Sequence, residues 1–109
     1  MHIDIHANHI ELNAPLRAFI EEKMADVAHV LGDQESSARL RVEVSIPSQH
    51  HNKGEVFYAE ANLTVQGELI RAEATHSDMH SAIVEIKDKL QEQIVSMKER
   101  IRDAHRKQS

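Results

Sequence analysis

The run Asp78-Met79-His80-Ser81-Ala82-Ile83-Val84-Glu85-Ile86-Lys87-Asp88-Lys89-Leu90-Gln91-Glu92-Gln93-Ile94-Val95-Ser96-Met97-Lys98-Glu99-Arg100-Ile101-Arg102-Asp103-Ala104-His105 has one period throughout. Met79, Ile83, Ile86, Leu90, Ile94, Met97 and Ile101 recur at steps of three and four, which places them on one stripe of an α-helix. The spacing predicts a helix from about 78 to about 105, with Ser77 as its cap. At 1.5 Å per residue it is roughly 40 Å long, more than a small sheet can cover, so its last turns should project beyond the body.

Working back from that helix, residues 69–75 and 57–65 alternate apolar and polar side chains around the tight turn Gln66-Gly67-Glu68. They read as an antiparallel pair of strands. Leu40, Val42, Val44 and Ile46 alternate with Arg39, Arg41, Glu43 and Ser45 in a further strand, ended by Pro47 and followed by a polar loop over 47–54. Residues 33–37 read as a polar linker. Before it, Leu16, Phe19, Ile20, Met24, Val27 and Leu31 fall at helical spacing. Asn13 is the cap, Pro15 sits in the first turn where its missing N–H does no harm, and Gly32 is the stop. Ile3, Ile5 and Ala7 alternate with His2, Asp4 and His6 in an opening strand over 2–7.

The order is β-α-β-β-β-α. Every strand has one apolar face and each helix one apolar stripe. The economical packing is an α+β two-layer sandwich, a four-stranded sheet with two helices on one face. The first two strands should run parallel if they are neighbours. The length of 109 residues fits a single domain over 1–109, with about 106–109 as a flexible tail.

Composition narrows the function. There is no cysteine, so neither a disulfide framework nor a Cys-ligated metal site can form. No apolar run approaches the roughly 20 residues that cross a bilayer, and the opening residues lack the pattern of a secretory signal. A cytoplasmic protein without a membrane partner is the expectation. The net charge of −5 is unevenly spread: residues 1–70 hold 5 basic and 11 acidic side chains, residues 71–109 hold 8 and 7. Positive charge therefore gathers towards the C-terminus.

Several segments resemble the ribosome hibernation-promoting factor and ribosome-associated inhibitor family. They are Ile10-Glu11-Leu12-Asn13-Ala14-Pro15-Leu16-Arg17 with Glu21-Glu22-Lys23-Met24, then Leu69-Ile70-Arg71-Ala72-Glu73-Ala74. Next come Ser77-Asp78-Met79-His80-Ser81-Ala82-Ile83 and Asp88-Lys89-Leu90-Gln91-Glu92-Gln93-Ile94, with Lys98 after them. The match covers nearly the whole chain. It implies a double-stranded-RNA-binding-domain-like fold with one extra strand in front, in the family's short form. It also implies binding in the mRNA–tRNA channel of the small ribosomal subunit, against rRNA and neighbouring ribosomal proteins, where occupation blocks initiation and stores inactive ribosomes. Asp26, Glu92, Val95 and Ser96 stand where the family tends to be basic, and His80 stands where it carries an aromatic. Lys23, Arg71, Lys89 and Lys98 survive.

The helical wheel adds to that set. With the apolar stripe at zero, Lys89, Arg100 and Lys107 fall on one flank of the last helix and Lys87, Lys98 and Arg102 on the other. Acids occupy the back. The candidate RNA-binding residues are thus Lys23, Arg71, Lys87, Lys89, Lys98, Arg100 and Arg102, gripping phosphates. The competing account is that lysine and arginine stems routinely flank an apolar stripe and snorkel outward. Arg39 and Arg41, on outward strand faces, are better explained by cross-strand pairing with Glu43, Glu60 or Glu73.

The nine histidines do not make a metal site. His2 and His6 are roughly 13 Å apart along one strand, His50 and His51 are adjacent in a loop, and His76 lies outside the helix that holds His80. Gly32, Gly54 and Gly67 are scattered, so no phosphate-cradling loop exists. Neither an enzyme, a cofactor nor a small-molecule substrate is indicated. The reading is a translation inhibitor that acts by steric occupation. The alternative is a protein–protein regulator of the sigma-factor-modulating type that kept the fold and lost most RNA affinity.

Overall fold

The computed structural model describes residues 1–47 and 56–108. Most of the loop expected over 47–54, with His50, His51 and Gly54, lies outside them. The elements are β1 (His2–Asn8), α1 (Ala14–Leu31), a short 3-10 helix (Gly32–Ser37), β2 (Arg39–Ser45), β3 (Phe57–Val65), β4 (Glu68–His76) and α2 (Met79–Gln108). This is the expected order, an α+β sandwich of one sheet and two helices.

The four strands lie in sequence order, with β1 parallel to β2 and the remaining pairs antiparallel. The alternation in each strand becomes two faces. Leu40, Val42, Val44, Ala59, Ala61, Leu63, Ile70, Ala72 and Ala74 are buried with Ile20, Met24, Val27 and Leu31 of α1 and the stripe of α2. The polar partners in each strand form an open outer face. No polar or charged residue is buried among the described ones, so the core is held by apolar contact alone.

Local signals fix the ends. Asn13 accepts from the Leu16 amide at 2.9 Å through its side-chain oxygen, and Gly32 ends α1 at φ +59°. Gln66 and Gly67 both have positive φ, as a two-residue hairpin turn matched to strand twist requires. Three expectations change. The cap of α2 is Asp78, not Ser77: its carboxylate accepts from the Ser81 amide and hydroxyl, each at 2.9 Å, because Met79 is the first helical residue. Residues 33–37 are a 3-10 turn instead of an open linker, closed by the Ala38 amide on the Glu35 carbonyl. Helix α2 runs on through 106–108, where a tail was expected.

The overhang is real. Residues 101–107 are exposed, Ile101 included, in a molecule 59 Å long and 27 Å across. The stripe continues past the end of the layer beneath it.

Candidate nucleic-acid interface

Helix α2 packs over β3 and β4 and runs beside α1. That placement gives its two basic flanks different neighbours. One faces α1: the His80 ring meets the Phe19 ring edge to face at 4.2 Å, Gln91 Nε2 donates to the Asp26 carbonyl at 3.3 Å, and Lys98 Nζ donates to the Val30 carbonyl at 2.6 Å. Lys87 lies on this flank by helical spacing, half-buried, with its Nζ 2.6 Å from Asp88. Arg102 and His105 extend it beyond the body. From α1, Lys23 joins it with Nζ 5.4 Å from the Phe19 ring centre, a cation–π contact in place of an ion pair.

Lys98 has a second role. Its ammonium satisfies a carbonyl at the C-terminal end of α1, where the helix leaves acceptors open and favours positive charge. Beyond it, Leu31, Asp33, Gln34, Ile101, Arg102 and His105 line an open recess of about 440 Å³ between the 3-10 turn and the overhang. Sequence reasoning had no signal for Gln34 or His105 here, since their meeting depends on α1 and α2 running side by side.

The opposite flank of α2 is tied to β4. Lys89 Nζ lies 2.8 Å from Glu85 and donates to the Glu73 carbonyl at 2.8 Å, while Gln93 donates to the Arg71 carbonyl at 2.8 Å. Arg100 pairs with Glu68 at 3.2 Å. Glu85 also accepts from His76 at 2.7 Å, and Lys89 first and His76 second hold its carboxyl below the usual range. These cations are largely spent on the protein itself.

Arg71 stands apart from the other six candidates. It lies on the outer face of the sheet, opposite both helices, and pairs with Glu60 at 2.9 Å and Glu73 at 3.3 Å. The register sets Glu43 beside Glu60 and Glu60 beside Glu73, so three carboxylates share one row. Like charges directly opposite repel, and Arg71 offsets them. The Tyr58 hydroxyl bridges Glu60 at 2.7 Å and Glu73 at 2.8 Å, and Asn62 donates to Glu60 at 2.8 Å. Burial, then its bonds to the two carboxylates, pushes the Tyr58 hydroxyl well above its ordinary value. The cross-strand pairing expected of Arg39 and Arg41 is made by Arg71 instead: among the described residues neither of those two has an ion-pair partner. Their register neighbours on β3, Thr64 and Asn62, are neutral.

This network makes a pH prediction. Tyr58 and then Asn62 hold the Glu60 carboxyl below the usual carboxylate range, so ionised Glu60 favours the folded state at and above that range. The contribution is lost as pH falls through the lowered value. In urea unfolding, Glu60→Gln should lie below the parent at pH 7, with the gap closing as pH drops from about 4.5 towards 2. A gap independent of pH would show that ionisation of Glu60 does not stabilise the fold.

Among the described residues no group of three or more His, Asp or Glu could hold a metal ion, and no helix is long and apolar enough to cross a membrane.

The model of a family described as sigma 54 modulation protein / S30EA ribosomal protein matches residues 3–102. A ribosome hibernation promotion factor of Deinococcus radiodurans is 33% identical over 91 residues, which cover 84% of this chain and 46% of that protein. The chain thus spans about half the length of that relative. A ribosome hibernation promoting factor of Pseudomonas putida is 31% identical over 100 residues, covering 92% of this chain and 89% of the relative. Among solved structures, the Thermus thermophilus Protein Y N-terminal domain is similar with a TM-score of 0.72 at 25% identity, over 86% of this chain and 96% of that one. A ribosomal subunit interface protein from Coxiella burnetii has the same fold, with a TM-score of 0.71 at 23% identity over 90% and 98% of the two chains.

Proposed function

The chain belongs to the sigma 54 modulation protein / S30EA ribosomal protein family, and from that premise we propose that it is a ribosome hibernation factor. It works in the cytoplasm without catalysis, filling the mRNA–tRNA channel of the small ribosomal subunit and keeping idle ribosomes from initiating. The observation that carries this reading is the α1-facing edge of α2. Lys87, Lys98 and Arg102 line it over about 22 Å at helical rise, and Lys23 flanks it from α1. A rim of that kind can neutralise rRNA phosphates although the chain as a whole is acidic.

Four cations engaging phosphates release about three counterions, so affinity should fall roughly 50-fold between 50 and 200 mM salt. Cosedimentation of the pure protein with vacant ribosomes across that series measures the slope. Association that ignores salt removes phosphate neutralisation from the account. Absence of association in dilute buffer ends the ribosomal reading altogether. The rival, a protein–protein regulator of the sigma-factor-modulating type, draws support from Arg71, Lys89 and Arg100, whose charges are answered by the chain's own carboxylates. It gains ground only if ribosomes are not bound.

A further inference from the structure

We propose that the open edge of β1 is a pairing site for a second copy of this chain, joining two sheets through antiparallel β1 strands about a two-fold axis. The two edges of the sheet are treated differently. At β4, side chains of α2 cover the edge: Lys89 and Gln93 take up the carbonyls of Glu73 and Arg71. At β1 nothing comparable occurs among the described residues. The His2 amide donates to the Ala38 carbonyl at 3.1 Å, and Asn8 accepts from the Ile46 amide at 3.3 Å. With the parallel register between those ends, the backbone groups of His2, Asp4, His6 and Asn8 turn towards β2. Those of Ile3, Ile5 and Ala7 turn outward, and no described residue reaches them. An uncovered edge of this kind is a template for another strand.

The sequence of β1 selects both the occupant and the register. Only odd residues have outward backbone groups, so a copy must pair odd with odd. Three registers near the strand centre satisfy this. Ile3 opposite Ile5 sets Asp4 against Asp4 of the other copy, and Ile5 opposite Ala7 sets His6 against His6; both place like groups together. Ile5 opposite Ile5, with Ile3 opposite Ala7, instead sets Asp4 against His6 on both sides of the axis. Two carboxylates directly opposite repel, whereas an imidazole opposite a carboxylate can donate a hydrogen bond to it, so the third register wins. It also uses the full strand. Asp4 already has His2 beside it at 3.3 Å within its own strand, a contact on the same outer face.

Apolar area points the same way. Ile3, Ile5 and Ala7 face the helix layer but remain only half-buried, whereas Val42 and Val44 on the next strand are wholly buried. A two-fold axis normal to the sheet keeps these residues on the helix side in both copies and lets them cover one another. The axis lies at the edge farthest from β4, where α2 packs, so the basic rim is left uncovered.

A single strand edge is a small interface, below the ~1,200 Å² of standard complexes, so association is weak. Sedimentation of the full chain from ~10 µM to ~1 mM should show the mean mass climbing from 12.4 kDa towards twice that value. Ile5→Pro removes an amide that faces outward and none that bonds β2, and should weaken self-association at least ~10-fold with an unchanged far-UV spectrum. Because the chain has no cysteine, register can be read directly and independently of that variant. Asp4 and His6 of the other copy would form a non-hydrogen-bonded pair with Cα atoms about 4.5 Å apart, within disulfide reach. A mixture of Asp4→Cys and His6→Cys chains should cross-link at least ~10-fold faster than either chain alone. Monomer mass at every concentration, or Asp4→Cys alone cross-linking as fast as the mixture, overturns the proposal.

Discussion

Replacing Lys87 and Arg102 by glutamate and Lys98 by glutamine should weaken association with vacant ribosomes on the order of 100-fold at 0.1 M salt. The magnitude follows from counterion release: at that salt each phosphate contact is worth roughly five- to eight-fold, and three contacts multiply. Glutamine is chosen at 98 because the ammonium there also serves the Val30 carbonyl, and a residual N–H donor keeps that role within reach. The informative comparison is the other flank. Lys89→Glu with Arg100→Glu removes two cations from the same helix against three in the triple variant, and these side chains are held by the Glu73 carbonyl, Glu85 and Glu68. Their loss should cost less than about 10-fold, since they lie on the far flank, away from the groove that Lys23, Lys98 and Arg102 share; pairing alone does not separate the flanks, because Lys87 is itself 2.6 Å from Asp88. Reversing the expected order, with the β4 flank dominating, would place the nucleic acid on the wrong side of the helix. Equal losses from both would indicate general attraction with no defined rim. The triple variant should also lower the salt dependence, by about one unit of slope per phosphate contact removed.

How much of this surface could be read beforehand differs from residue to residue. The two flanks of α2 follow from 100° per residue and nothing else, so Lys87, Lys98 and Arg102 separate from Lys89 and Arg100 in the sequence. Which flank is spent on the protein does not follow, because it depends on α2 lying over β3 and β4. Arg71 shows the converse. Its parity in β4 already puts it on the outer face with Glu73, away from the helices. The resemblance to the family's segment drew it into the same group, and geometry separates it again. The Phe19–His80–Lys23 contact was legible only in halves: Phe19 and Lys23 are one turn apart in α1, but His80 joins them only once the two helices are known to run side by side. Strand and helix assignments fared better, since each rests on a period that a buried core enforces. Their misses fall at ends, such as the cap of α2, where Ser77 and Asp78 are both chemically able and one residue of frame decides.

Leu90→Ala should destabilise the fold by about 3 to 4 kcal/mol, the largest effect of any single substitution considered. Leu90 is wholly buried near the middle of the stripe, between Ile86 and Ile94, which are equally buried. Removing its branched end deletes apolar contact and leaves a cavity whose walls are helix α2 and the sheet, neither of which can collapse far. Against a total of roughly 5–15 kcal/mol for a domain of this kind, such a loss is a large fraction. The matched control is Ile101→Ala. It belongs to the same stripe by sequence and is 36% exposed, because the sheet ends before it. With little to lose on truncation, it should cost no more than about 1 kcal/mol. Urea unfolding of the two variants beside the parent measures both differences. A cost at 101 equal to that at 90 would mean that the overhang is packed against something in solution, and that the exposed end of α2 is not the free projection its periodicity and the sheet's length require.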